Sequence, residues 1–544
     1  DDTECIANCV LIDDKPKVIE DGFIYSYRFN DQNYKQKEGK SAFDAHQIKG
    51  LGTIHSIEEN FPDKNIVKIL VSKRRKNIEM PSLLTLGNTM PPQVHQHDQA
   101  LNKFLEDYIL NDGENYKSIM DMLERKEPDI KNIKSGSILI EENKDLITQS
   151  IEIVKNLNNS YLTIQGPPGT GKTYTSAKII IELMKVGKKV GITSNSHEAI
   201  KTLLIAIEQQ AVDQNYEFSG MRKSKSSDKH EWKFIRNVTT GKPLNMDSYS
   251  LFAGTSWFFV DPRMNKTLDY LFIDEAGQVA LGTTIANATS ADNLVLIGDQ
   301  MQLSQPMRAK HEGYARKSSL DFILEDDDTI STDKGVFLNV TRRLNKKICN
   351  YISTSFYDSR LTSDPITETR SVNLKLDPIK DEGLFYVPID HSGCSQRSDE
   401  EADLVEKVFN KIVNKQYKSE NITGKISAKD IMVVAPYNAQ ANNIRERLKK
   451  KFKDDVRVGT IDLFQGQEAK VVLISMTTSD VESLPRHKDF FFSRNRLNVA
   501  ISRAECVAII IFNENLLLAS ASNIKEMKLI NSFCKLLTFK TNYK

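Results

Sequence analysis

The sequence is short of several things that would place it quickly. It carries six cysteines in 544 residues, at positions 5, 9, 349, 394, 506 and 534. That is too sparse for a disulfide scaffold and suits a reducing, intracellular compartment, cytoplasmic or nuclear. Cys5 and Cys9 are the only close pair, and with no further ligands beside them they read as two small residues on one helix face rather than a metal site. No stretch approaches the roughly eighteen consecutive apolar residues of a membrane span, and no charged-then-apolar leader opens the chain, so neither a membrane segment nor a secretory signal is expected. There is no excess of charge: 74 basic against 73 acidic residues leave a net +1, so any phosphate-binding surface must be local. Tryptophan is scarce, and Trp232 and Trp257 read as packing residues. No repeat of solenoid period is visible. The chain opens on Asp1-Asp2 rather than Met, as a processed, truncated or fragmentary chain would.

What is present is a chain too long for one core, 39% hydrophobic and 27% charged, for which several domains are expected. Residues 1–45 are mixed and form an N-terminal segment; DDTECIANCVLI reads as the last helix of a domain lying upstream. Residues 46–140 read as a β-rich, barrel-like accessory domain with a helical stalk: GLGTIHSIEE and NIVKILVSKRRK flank a turn at Pro62, Asp63 and Lys64, and a helix-prone stretch runs from His95 to Glu127. Residues 141–330 alternate short apolar runs (YLTIQ, KVGITS, YLFIDEA, NLVLIGD) with helical segments, the rhythm of a buried parallel sheet. Within them 205–248, polar and with the basic cluster MRKSKSSDKHEWK, reads as an insertion. Residues 331–544 repeat the rhythm in GVFLNV, DIMVVAPY, RVGTID, KVVLISM and CVAIIIF. The fold class is therefore α/β, with two tandem lobes, a small β-rich domain and an insertion in the first lobe. The basic runs Lys73–Lys76 and Arg222–Lys225 are candidate phosphate contacts.

The strongest local signal is Gly166-Pro167-Pro168-Gly169-Thr170-Gly171-Lys172-Thr173, followed by Tyr174. It fits G-x-x-x-x-G-K-[ST] with a strand before it and a helix after it, the setting in which glycine-rich backbone wraps phosphates at a helix N-terminus. Lys172 is placed to reach the β- and γ-phosphates of ATP and Thr173 to ligate Mg²⁺. Asp274-Glu275, ending the apolar run LFI, supplies the rest: Asp274 holds Mg²⁺ through water and Glu275 polarises the attacking water.

A phosphate loop alone defines only a nucleotide-binding enzyme. The remaining motifs, spread over roughly residues 140–515, resemble superfamily 1 helicases, specifically the Upf-like, 5′-to-3′ branch that also holds helicase–nuclease fusions. Gly298-Asp299-Gln300-Met301-Gln302-Leu303 resembles that family's coupling motif, Thr341-Arg342-Arg343 its motif with the first arginine finger, Thr460-Ile-Asp462-Leu-Phe-Gln-Gly-Gln-Glu468 its T-x-D-x-F-Q-G-x-E, and Arg496-Leu-Asn498-Val-Ala-Ile-Ser-Arg503-Ala its R-x-N-V-A-x-[ST]-R-A. The resemblance implies two tandem RecA-like lobes and assigns roles. Gln149 reads the adenine edge, Gln302 senses the γ-phosphate, Arg343 and Arg503 reach it across the cleft, and Glu468 lies near the ribose or triphosphate. Nucleic acid is expected at Ser194, Asn195, Ser196, Gly254, Thr255, Pro436, Tyr437, Thr460 and Asp462. At Arg342 the family's base-stacking aromatic is absent; a guanidinium also stacks on a ring. The implied protein is a monomeric ATP-dependent helicase on single strands, with DNA slightly favoured over RNA, and with a nuclease or adaptor domain upstream. Two other classes fit less of the sequence: a translocase that does not open duplexes uses the same residues, while a dead-motor binding module would have lost Lys172, Glu275 or a finger arginine. The second lobe excludes a nucleotide kinase.

Overall fold

The computed structural model describes residues 5–541 except 13–14, 31, 33, 35, 48, 59–64, 76–77, 88–93, 225–229, 239–245, 305–311, 421 and 480–490. The turn expected at Pro62, Asp63 and Lys64, and the Lys76 and Lys225 ends of the two basic runs, lie outside the described residues. The chain divides into two compact units, Asp1–His95 and Gln96–Lys544.

The first unit is one antiparallel sheet of β1 (Ile6–Leu11), β2 (Lys17–Ile19), β3 (Gly22–Phe29), β4 (Ser41–Asp44), β5 (Lys49–Glu58), β6 (Asn65–Ser72) and β7 (Leu83–Gly87), in the order β1-β7-β4-β5-β6-β3-β2. β1 also pairs with β3, so six strands close into a barrel and β2 hangs on its outside. Closure removes sheet edges. Val67, Ile69 and Val71 alternate inward along β6 and meet Tyr27, Phe29, Leu51 and Leu84 in the barrel core.

This corrects three expectations. Residues Ile6–Leu11 are a barrel strand, not the end of an upstream helix. Cys9 is a buried strand residue rather than part of a helix face; positions four apart share a face in a strand as well as in a helix, so the spacing could not discriminate. The β-rich region also begins at Ile6, not at 46, because its first strands are short and broken by polar text.

In the second unit, the first lobe holds an eight-stranded sheet of β8 (Tyr161–Gln165), β9 (Val190–Thr193), β10 (Gly220–Lys223), β11 (Ile235–Val238), β12 (Leu251–Ala253), β13 (Leu268–Ile273), β14 (Ala291–Gly298) and β15 (Gly335–Phe337). The order is β11-β10-β12-β9-β13-β14-β8-β15, every pairing parallel. All five residues of β8 are buried, as a strand covered on both faces requires. The second lobe has β16 (Gly383–Pro388), β17 (Ile431–Val434), β18 (Arg457–Gly459), β19 (Ala469–Ser475) and β20 (Ala504–Phe512), parallel in the order β16-β20-β19-β17-β18. One apolar cluster runs from Tyr161 and Leu296 in the first lobe to Ile348 and Phe512 in the second, and Phe104, Ile119 and Met122 of the helical stalk join it. Among the described residues no helix is long and apolar enough to cross a membrane.

Two lobe assignments change. The 205–248 segment is not an outgrowth: it completes the helix His197–Asp213 and supplies β10 and β11, the last two strands at one side of the sheet. Its charge misled because Arg222 is buried, at 1% exposure, within a strand. Gly335–Phe337 pairs with β8, so the first lobe ends after Phe337 rather than at 330. Met221 is 1% exposed between two strand neighbours. Met221→Asp should therefore destabilise the protein by roughly 3 kcal/mol or more in denaturant unfolding; a change within about 0.5 kcal/mol, as on a solvated insertion, would contradict the assignment.

Candidate active site

In an open parallel sheet, ligands bind at the carboxyl ends of the strands. Here β8 runs into the loop 166–171, whose Gly166 N–H donates to the Gly298 carbonyl at 2.9 Å, fastening the loop to the end of β14. Gly171, with φ 82°, caps the helix Lys172–Lys185 in a conformation that glycine adopts without strain. Thr170 Oγ1 donates to the Pro167 carbonyl at 2.8 Å, and Lys172 Nζ donates to the Gly166 carbonyl at 2.7 Å, so the ammonium curls back over the loop. Thr173 lies in the helix's first turn, and Tyr174 beside it is exposed with the Lys178 ammonium 4.7 Å from its ring centroid.

Two acidic strand ends face this loop. At the end of β13, the Asp274 N–H donates to the Thr193 carbonyl at 2.9 Å and the Glu275 N–H to Asp274 Oδ1 at 2.9 Å. Glu275 is left-handed, φ 53°, which is strained for a side chain of its size and aims it away from the strand direction. Although Asp274 keeps some solvent contact, the protein packed around its carboxyl pushes it up to about 7; the Glu275 charge adds to this and the Lys172 ammonium opposes it. At the end of β14, burial likewise raises Asp299, while Lys172 and donors from Tyr357 Oη (2.7 Å), Gln302 Nε2 (2.9 Å) and the Met301 N–H (3.1 Å) counter that. Burial first, and the same contact with Asp299 second, drive the Tyr357 phenol well above its ordinary value.

The second lobe closes the site. Thr341 Oγ1 donates to the Pro168 carbonyl at 2.8 Å and the Arg342 N–H to the Gly169 carbonyl at 2.9 Å. Gly169 has φ 74°, and a Cβ there would stand 2.4 Å from Arg343 Cβ, so only glycine admits this approach. Arg343 Nε pairs with Glu468 at 2.8 Å, and the exposed Arg342 pairs with Asp364 at 3.1 Å. Arg503 is 1% exposed; its Nε and Nη1 donate to the carbonyls of Val499 and Gln467 at 3.1 and 3.0 Å, while Nη2 is buried with no partner. Burial first, and repulsion from Arg343 second, lower Arg503 to about 10, with Glu275 pulling the other way. The helix Arg494–Ile501 then ties the lobes together. Asn498 Nδ2 donates to the Met301 carbonyl at 2.7 Å and to Tyr357 Oη at 2.8 Å, and Asn495 Nδ2 to the carbonyls of Gln300 and Gln302. Arg494 forks onto Asp328 at 3.0 and 2.5 Å.

Lys172, Asp274, Glu275, Asp299 and Gln302 thus converge from one lobe, and Arg343 and Arg503 from the other. Gln149 is differently engaged: its amide bonds Glu141 N at 2.8 Å, Glu141 O at 3.0 Å and Lys144 O at 3.1 Å, closing the turn before the helix Leu146–Lys155. The expected strand-contact residues all follow strand ends. Ser194 has a buried hydroxyl without a partner, Asn195 donates to the Gln278 carbonyl, and Ser196 caps the helix His197–Asp213. Gly254 and Thr255 follow β12, Pro436 and Tyr437 follow β17, and Thr460 follows β18; Asp462 pairs with Arg496 at 3.1 Å. Sequence reasoning missed Tyr357, Asn495 and the Arg494–Asp328 pair, which carry no local signature; Asn498 was matched as a fixed position of a quoted motif but was given no role there.

A phosphate loop, paired strand-end carboxylates and two arginines from a second parallel-sheet lobe define a two-lobed P-loop nucleotide-binding protein. Two family models, each described as an AAA domain, match residues 149–307 and 318–515. Among curated proteins, the chain is 24% identical over 419 residues to the DNA polymerase alpha-associated DNA helicase A of Schizosaccharomyces pombe, covering 65% of this chain and 61% of that protein. It is 26% identical over 410 residues to the DNA replication ATP-dependent helicase/nuclease DNA2 of Saccharomyces cerevisiae, covering 69% and 26% respectively. It is also 26% identical over 422 residues to the Regulator of nonsense transcripts 1 homolog of Neurospora crassa, covering 68% and 37%. The chain therefore spans less than two thirds of the length of each. A solved arterivirus nonstructural protein 10 (helicase) with DNA aligns over 94% of this chain and 80% of its own, with 13% identity and a TM-score of 0.39. The chain thus carries two AAA domains and is similar to superfamily 1 helicases of the Upf-like kind.

Because Asp274 is held up to about 7 against an ordinary 3.8, its ionisation opposes folding when no cation is bound. The native state keeps a proton that the unfolded chain releases, so stability falls as pH rises between those values. Without metal or nucleotide, Asp274→Asn should melt at a higher temperature than the parent at pH 8, with the gain shrinking toward pH 5. A lower melting temperature at pH 8 would show that the carboxylate is stabilising instead.

Proposed function

We propose that the protein is an ATP-driven motor that moves along single-stranded nucleic acid, and that it separates duplexes as a helicase. The observation that supports this best is the lattice joining the phosphate-facing end of β14 to the second lobe: Asp299 to Tyr357, Tyr357 to Asn498, and Asn498 back to Met301. A simple nucleotide hydrolase has no need to couple its γ-phosphate sensor to a second lobe.

In this reading the loop 166–173 cradles the phosphates and the Lys172 ammonium leaves the Gly166 carbonyl for the β- and γ-phosphates. Asp274 and Thr173 are the residues that would hold Mg²⁺. The fit is chemical: both are hard oxygen donors, and Asp274 lacks a matching cation beyond Lys172. When bound, such an ion would neutralise the negative charge of the phosphates. Glu275, turned out of the strand by its left-handed backbone, takes the proton from the attacking water. Gln302 and Asp299 sense the γ-phosphate. That phosphate competes with Glu468 for Arg343 and gives the unpaired Nη2 of Arg503 its partner, which draws the lobes together; hydrolysis releases them. Residues at the ends of β9, β12, β17 and β18 grip the strand alternately, so each cycle is a step.

Movement from 5′ to 3′, action as a monomer, an intracellular location and a mild preference for DNA over RNA follow the family resemblance and complete the proposal. A translocase that remodels without unwinding is the second reading, and strand displacement on a tailed duplex separates the two.

Arg503→Ala should lower kcat for ATP hydrolysis by about 10³- to 10⁵-fold, with affinity for a single-stranded oligonucleotide changed only a few-fold. Lys172→Ala serves as the inactive control, and matched DNA and RNA strands identify the substrate class. Strand binding that falls in parallel with hydrolysis would show that Arg503 supports the fold rather than the phosphate.

A further inference from the structure

A second cluster of chemically capable groups lies in the second lobe, away from the phosphate loop. Between β16 and the helix Asp399–Ile412, one ligand atom each from His391, Cys394 and Glu400 lie within 4.8 Å of one another. The His391 side chain is fully buried. Its Nε2 stands 3.1 Å from Glu401 Oε1. Glu401 is itself buried, and its other oxygen accepts from Ser475 Oγ at 2.5 Å and from the Thr477 N–H at 2.8 Å. That carboxylate fixes the hydrogen on Nε2 and leaves Nδ1 with a lone pair. Nδ1 is buried and has no hydrogen-bond partner. A buried nitrogen left unmatched costs free energy unless something binds it.

The three donors are held from separate directions. The His391 carbonyl accepts from Asn513 Nδ2 at 2.7 Å, the Cys394 N–H donates to Ser479 Oγ at 2.9 Å, and the Ser479 N–H returns to the Cys394 carbonyl at 2.9 Å. Glu400 sits in the first turn of the helix, its Oε2 accepting from Ser398 Oγ at 3.0 Å. Cys394 Sγ and Glu400 Oε2 are 3.9 Å apart. Two ligands of one tetrahedral zinc ion, at the usual Zn–S and Zn–O lengths, stand about 3.6 Å apart. The Sγ–Oε2 pair needs only a slight contraction, and the histidine nitrogen, within 4.8 Å of both, a turn of the ring or loop toward them.

We infer that His391 Nδ1, Cys394 Sγ and the Glu400 carboxylate form a zinc site, with water as fourth ligand and Glu401 orienting the histidine. One nitrogen, one sulfur and one carboxylate oxygen suit a borderline divalent ion better than magnesium or calcium. A carboxylate hydrogen-bonded to the far nitrogen of a ligating histidine is the usual support for such an ion. The ion would pin the chain leaving β16 to the helix start at Glu400, and through Cys394 to the segment leaving β19. It would thus brace the strand ends of the second lobe. The phosphate-loop site would hold its cation with oxygen alone, so the two are spectroscopically separable.

The test uses the full chain, stripped with a chelator and titrated with Co²⁺ as the probe. One equivalent should give a thiolate-to-cobalt charge-transfer band in the near ultraviolet, abolished by one equivalent of Zn²⁺. Cys394→Ser should lose the band while keeping Mg²⁺-dependent ATP hydrolysis within about twofold of the parent, which shows that it is folded. Glu400→Gln should weaken cobalt binding at least tenfold. Zn²⁺ should raise the melting temperature of the parent and not of Cys394→Ser. No band at one equivalent, or a band that persists undiminished in Cys394→Ser, overturns the assignment.

Discussion

Two cations held close together with too few anions set the terms for this molecule. Arg343 and Arg503 come from the same lobe, repel one another, and face the phosphate loop of the other lobe. Arg503 is buried with one nitrogen unpaired. Across from them lie the opposite problem, carboxyls at Asp274 and Asp299 that burial holds protonated more readily than usual. Each half of the cleft is electrostatically incomplete, and a triphosphate with its divalent ion completes both at once. Desolvated charges of this kind interact far more strongly than surface pairs, and that is the leverage the proposed cycle draws on.

That leverage needs a path. It exists as a short chain of hydrogen bonds between backbone carbonyls at the end of β14 and amide side chains of the helix Arg494–Ile501. Arg503 follows that helix at once after its cap Ser502, so it is carried on the same element as the amides that reach Met301 and Gln302. Thr341 and Arg342 tie the other finger's strand to the phosphate loop itself, through a glycine that no other residue replaces without collision. One apolar cluster then runs beneath both lobes.

Much of this was legible in the sequence because the chemistry demands particular residues at fixed spacing. The loop 166–173 and Asp274-Glu275 could be read because glycine and a strand end leave distinct local marks, whereas Arg503 was named only through the family resemblance. The αβ alternation was readable because parallel strands are buried on both faces. What escaped reading depended on partners far away in sequence. Tyr357 matters only because it meets Asp299, 58 positions earlier. Gly335–Phe337 looks the same whether it pairs in one lobe or the other. β10 carries a buried arginine and reads as loop, and β1 carries a cysteine spacing that two periods share. Gln149 shows the reverse: the position was legible, yet its amide is engaged in a local turn that no spacing announces.

The claim that a γ-phosphate closes the lobes through Arg503 is tested most directly by an inter-lobe distance. Spin labels at the exposed positions Ile205, in the first lobe, and Lys450, in the second, report it by pulsed electron resonance. With Mg²⁺ and a non-hydrolysable ATP analogue the distribution should shorten and narrow relative to ADP, and Arg503→Ala should abolish the difference while still binding the analogue. An equal shift in parent and Arg503→Ala would contradict the mechanism.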